Sequence, residues 1–143
     1  MRILAVDWGE RRIGLAVSDP TGVIATALPT LAARSRADAV ERIAEIAVER
    51  EAERLVVGLP LNMSGERGDA ALAAEALAAA LRERTRLRVD LYDERLTSAL
   101  SQRRLHETGV RTGHAKGRVD AGAAVALLES YLQRLATTRD SGS

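Results

Sequence analysis

Ile3-Leu4-Ala5-Val6-Asp7-Trp8-Gly9, followed through Glu10-Arg11-Arg12 by Ile13-Gly14-Leu15-Ala16-Val17-Ser18, decides how the rest of this chain is read. Four consecutive apolar residues, 3–6, suit a strand buried on both faces. A carboxylate follows at once, Gly9 comes two residues later, and a second apolar run begins at Ile13. The pattern predicts a tight antiparallel hairpin whose first strand ends by presenting Asp7. An ionised Asp in that place is costly unless it meets a cation or a strong donor. An Asp capping its own turn would satisfy the same local pattern.

Working outward, a third strand-like run covers 23–28, and 37–50 has a helical stripe of Val40, Ile43, Ala44 and Ala47 opposite glutamates. Residues 55–59 form a short apolar strand stopped by Pro60, and an alanine-rich helix spans 69–84. Leu87, Val89 and Leu91 alternate with Arg88, Asp90 and Tyr92, predicting a half-exposed strand near the sheet edge. Thr97 is a candidate N-cap for a helix to Leu105, 107–117 reads as a loop, and a last helix is expected over 119–135. Helix-bearing crossovers after the third strand require parallel pairing of the later ones. The expected fold is therefore α/β and ribonuclease H-like. Its mixed five-stranded sheet has three antiparallel strands, then parallel ones, with helices on both faces. One domain over 1–138 and a frayed tail over 139–143 complete the expectation.

Composition narrows the chemistry. Among 143 residues, 46% are hydrophobic and 29% charged, the balance of an ordinary globular protein. No apolar run nears the roughly 20 residues of a membrane span, and the N-terminus lacks a signal-peptide pattern. There is no cysteine, which excludes disulfides and thiolate chemistry and fits the cytoplasm. A metal would then be held by oxygen, or by His106 and His114, favouring Mg²⁺ or Mn²⁺ over structural zinc. Net charge is only +1, but residues 82–118 hold nine arginines and Lys116 against five acids. Arginine supplies 20 of the 21 basic residues, and its forked donors match phosphate. A polyanionic partner is the expectation. With only Trp8, Tyr92 and Tyr131 aromatic, such a partner would be read through backbone shape and charge rather than by base stacking.

Three acids fall at converging element ends. Asp7 ends one strand, Glu94 follows another, and Asp120 opens the last helix on the face of Ala123, Ala124 and Leu127. C-terminal strand ends gather at one edge of an α/β sheet, where ligands bind. Nucleases using two cations about 3.5–4 Å apart need such a carboxylate cluster. Asp93 competes with Glu94. Regular alternation would put Asp93 on the face of Leu87, Val89 and Leu91 and turn Glu94 away, unless the strand ends near Tyr92.

The stretches Asp7-Trp8-Gly9-Glu10-Arg11-Arg12-Ile13-Gly14, Gly58-Leu59-Pro60-Leu61-Asn62-Met63-Ser64-Gly65, Asp93-Glu94-Arg95-Leu96-Thr97-Ser98 and Lys116-Gly117-Arg118-Val119-Asp120-Ala121 together resemble the YqgF/RuvX family. All four motifs stand in order between about Ile3 and Leu132. Trp8 stands where an aromatic residue, often phenylalanine, is expected. The resemblance implies a ribonuclease H-like nuclease with Asp7, Glu94 and Asp120 as catalytic, metal-binding acids for two Mg²⁺ or Mn²⁺ ions. It selects Glu94 over Asp93. Family names cover both Holliday junction resolution and pre-16S rRNA processing, so the implied partner is structured RNA, branched DNA or both. Arg12, Asn62, Ser64, Arg95, Arg103, Arg104, Arg111, Lys116 and Arg118 are the candidate nucleic-acid contacts, with His114 a candidate for proton transfer. The protein is expected off the membrane, as a monomer or homodimer. Two other classes stay in view. One is a non-catalytic nucleic-acid-binding factor in ribosome assembly, which would gain nothing from acids aimed at phosphate. The other is an actin or sugar-kinase type ATPase domain, which needs a second such domain around a cleft.

Overall fold

The computed structural model describes residues 1–9, 12–61, 64, 66, 68–97 and 116–142, with the last helix's side chains described over 122–138. The chain opens with three antiparallel strands, β1 (Ile3–Trp8), β2 (Ile13–Ser18) and β3 (Ala25–Leu31). Then follow α1 (Arg36–Glu49), β4 (Arg54–Leu59), α2 (Asp69–Thr85), β5 (Arg88–Asp93) and a 3-10 turn (Glu94–Leu96). The last helix, α3, is Lys116–Gly142, beginning three residues before the expected start. The sheet order is β3-β2-β1-β4-β5, and β1, β4 and β5 run parallel. This is the mixed five-stranded sheet expected from the sequence.

Alternation sorts the central strands onto two faces. Leu4, Val6, Leu55, Val57 and Val89 pack with Val40, Ile43, Ala47, Leu77 and Leu81, so α1 and α2 cover one face. Ile3, Ala5, Ala16, Val56 and Tyr92 pack with Ala124, Leu127, Leu128 and Tyr131, so α3 covers the other. Each fully buried aliphatic side chain contributes roughly 1.5–3 kcal/mol. Ser35 caps α1, its hydroxyl accepting the Asp38 N–H at 3.1 Å. β3 lies later than the expected 23–28 and carries an exposed Pro29, tolerated because β3 is an edge strand. Among the described residues, no helix is long and apolar enough to cross a membrane.

Candidate active site

Asp7 is the fifth residue of β1, and Ile3 and Ala5 before it face α3. Asp7 therefore belongs to the α3 side of the sheet, at the edge where the parallel strands end. Trp8 turns to the opposite side and packs against the α1/α2 core. Beyond it the Gly9 N–H donates to the Arg12 carbonyl at 3.2 Å, closing the predicted hairpin. On β5, buried Tyr92 faces α3, and Glu94, just past the strand in the 3-10 turn, returns its side chain to that side over Gly58.

Strand alternation thus does not turn Glu94 away from Asp7, because β5 ends at Asp93 before Glu94 is reached. The sequence reading treated the Leu87-Val89-Leu91 face as the inward one, but both faces are covered, and Asp7 shares the face of Tyr92. Asp93 points the other way and is engaged locally. It accepts the Arg95 backbone N–H at 2.9 Å and pairs with the Arg95 guanidinium at 2.8 Å. Those Arg95 hydrogen bonds hold its carboxyl below the usual range. From the other side Thr97 bonds the Glu94 carbonyl, through its N–H at 3.0 Å and its hydroxyl at 2.7 Å. The backbone of Glu94 is pinned from both flanks.

Glu94 then reaches back over β4. Its side chain lies across Gly58, the residue paired with Tyr92, and its carboxyl hydrogen-bonds that of Asp7. Two carboxyl groups can bond to each other only by sharing a proton. Burial first, then the bond and charge of Asp7, and last the charge of Asp93 push Glu94 up to about 8. Acids so displaced at a sheet edge mark functional sites more often than structural ones. The donor set is hard oxygen, with no cysteine in the chain, and it fits Mg²⁺ or Mn²⁺.

The other candidates fall into three groups. Asp120 is the fifth residue of α3, four and seven positions before buried Ala124 and Leu127, and its side chain lies outside the described residues. Among the described residues, no three His, Cys, Asp or Glu side chains converge as a metal site. Arg12 is exposed beside the β1–β2 turn, Ser64 is exposed after β4, and Arg95 is committed to Asp93. Asn62, Arg103, Arg104, Arg111, His106 and His114, and the expected helix 97–105 beyond Thr97, lie outside the described residues; of Lys116 and Arg118 only the helical backbone is described. Two features escaped the sequence reading. Gly58 lay inside a quoted motif, yet only the fold reveals what crosses it. Arg34 and Arg36, far from the basic span in sequence, line a cleft of about 190 Å³ with Trp8, Gly9, Ile13, Ala33 and Ser35.

A 3-2-1-4-5 mixed sheet, with paired acids at the end of β1 and just past β5, has the ribonuclease H-like architecture. The chain belongs to the RuvX family, described as Holliday junction resolvase, whose pattern it matches over residues 1–134. It is 43% identical over 136 residues to a protein of Anaeromyxobacter sp. (strain K) named "Putative pre-16S rRNA nuclease", covering 95% of this chain and 99% of that protein. Its fold is similar to Thermus thermophilus RuvC in complex with Holliday junction substrate, with TM-score 0.58, 15% identity, and 96% and 97% of the chains covered. The fowlpox virus Holliday junction resolvase is similar at TM-score 0.58 and 12% identity, with 94% and 99% covered. The chain is accordingly a hydrolase acting on ester bonds.

Proposed function

We propose that this protein is a divalent-cation-dependent nuclease that hydrolyses phosphodiester bonds in structured nucleic acid, with precursor 16S rRNA as its substrate. The observation that carries the reading is the Asp7–Glu94 carboxyl pair, hydrogen-bonded at the sheet edge. The substrate assignment leans on the nuclease-named relative that matches this chain almost end to end. Junction resolution is the second reading, favoured by the description of the family.

Asp7 and Glu94 would hold the cation, with Asp120 as the third ligand from α3. A bound divalent cation supplies Lewis acidity at the scissile phosphate. The chain's own residues do the rest. Asp7 and Glu94 give up their shared proton and present two anionic oxygens. Thr97 and the Asp93–Arg95 pair hold Glu94 in place. Arg12, Arg103, Arg104, Arg111, Lys116 and Arg118 grip backbone phosphates, with Asn62 and Ser64 as neutral donors and Arg95 reaching phosphate from its pair with Asp93. Residues 1–138 act as one catalytic unit in the cytoplasm.

The test is to incubate purified protein with a precursor 16S rRNA fragment or a four-way DNA junction, in Mg²⁺, Mn²⁺ or EDTA. Cation-dependent cleavage of the RNA is expected. Cleavage of the junction alone replaces the substrate with the second reading. Full cleavage in EDTA, or none of either substrate, overturns the proposal.

A further inference from the structure

Gly58 occupies the central position between the two acids. It pairs with Tyr92 of β5, and the register of Val6 with Val57 brings it level with Asp7 of β1. Neighbouring strands lie about 4.8 Å apart, so a side chain joining the outer two must pass over the middle one. Glu94 does so. A Cβ placed on Gly58 would meet Glu94 Oε1 at 2.5 Å, Cγ at 3.1 Å and Cδ at 3.2 Å, and these are its three nearest neighbours.

Gly9 is crowded in a different way. A Cβ on Gly9 would strike the Arg12 backbone oxygen at 2.5 Å, and that oxygen closes the hairpin. Substitution there attacks the fold. Gly22 needs glycine for its positive φ of 75°. Gly58 has neither reason, since its φ is not positive and no backbone atom is among its nearest contacts. A glycine inside a strand also weakens the strand. Among the described residues, what a side chain at 58 meets first is the flexible end of Glu94.

We infer that Gly58 is a positioning residue of the nuclease site, kept without a side chain so that the Glu94 carboxyl can cross β4 to Asp7. The inference rests on the reading of Glu94 as a functional acid. A methyl group at 58 leaves the strand intact and displaces the carboxyl, because moving the tip of one side chain is easier than moving a sheet. A displacement of about 1 Å lowers turnover by roughly a hundredfold.

Gly58→Ala, Glu94→Ala and the double variant would be compared with wild type. Gly58→Ala is expected to unfold at the wild-type temperature or above, to bind nucleic acid with unchanged KM, and to lose roughly a hundredfold in kcat. Its crystal structure is expected to show the Glu94 carboxyl away from Asp7. Mn²⁺ affinity should fall on adding Gly58→Ala to wild type and stay unchanged on adding it to Glu94→Ala. Glu94 still bonded to Asp7 in the variant crystal, or equal losses of Mn²⁺ affinity in both backgrounds, overturns the inference. Unfolding of both Gly58→Ala and the double variant overturns it too, by showing that the backbone needs the glycine. Wild-type protein that binds no Mn²⁺ sinks the cation reading alone, and the crystal structure still decides the role of Gly58.

Discussion

The two ends of the parallel strands treat carboxylates in opposite ways. Where the strands begin, Asp90 accepts hydrogen bonds from Tyr131 and, at 3.0 Å, from Arg88, with Arg54 bonded to the same tyrosine at 3.1 Å. Burial pulls Asp90 upward, yet these donors and charges outweigh it, and the carboxyl sits below its ordinary value. Asp19, just past β2 at that same end, bonds the Thr21 hydroxyl and accepts the backbone N–H groups of Thr21, Val23 and Ile24. It too is held far below its ordinary value, first by Thr21. Where the strands end, Asp7 and Glu94 face each other and Glu94 is driven up. One end satisfies its acids and stabilises the molecule. The other sets two acids against each other.

The largest test of this contrast is mutational. Asp7→Asn and Glu94→Gln should each lower cleavage by roughly 10²–10⁴-fold with the fold retained, whereas Asp90→Asn should cleave almost as wild type. Asp93→Asn should keep much of the activity, since its partner is Arg95. Activity assays beside circular dichroism decide the matter, and an inactive Asp90→Asn that remains folded would erase the contrast.

A smaller effect is expected on stability. Tyr131→Phe removes the hydroxyl joining Arg54 to Asp90 and should cost about 0.5–1.5 kcal/mol in urea unfolding, with cleavage per folded molecule unchanged. A fall in kcat matching that of Glu94→Gln would tie the far end to the chemistry after all.

The mildest signature is in pH. Glu94 is raised above its ordinary 4.5, so its contribution to the metal-free fold is complete below that value and lost as pH rises through about 8. Asp90 is lowered, so its contribution is present above 3.8 and lost as pH falls below it. Melting temperatures of EDTA-treated protein should therefore decline at both extremes. Glu94→Gln should remove the alkaline decline and leave the acid one, while Asp90→Asn should lessen the acid decline, which Asp19 and Asp93 sustain, and leave the alkaline one.

How far the sequence could be read follows from what each signal measures. Apolar runs at 3–6 and 55–59 named central strands because burial on both faces leaves no polar alternation, and helix-bearing crossovers then settled parallel pairing. The same property hid the orientation of β5. Leu87, Val89 and Leu91 looked like the single inward face, but Tyr92 is only 8% exposed against α3, so alternation of polarity misjudged which side held the acids. The motif points to Glu94, whereas the parity argument points to Asp93. The run 23–28 stops short of Pro29, whereas β3 continues through it to Leu31, as an edge strand can. Gly58 was invisible as a determinant, since its role depends on strands that meet only in three dimensions.

The most direct measurement is calorimetric titration of Mn²⁺ into the metal-free protein at pH 7, repeated in buffers of different ionisation enthalpy. With Glu94 pushed up to about 8, the pair holds its proton at that pH, and a cation that takes both carboxylates must expel it. The account predicts release of roughly one proton per binding event in wild type, and none from this pair in Glu94→Gln, with weaker binding. Mn²⁺ binding that releases no proton, or that is untouched by Glu94→Gln, would contradict it.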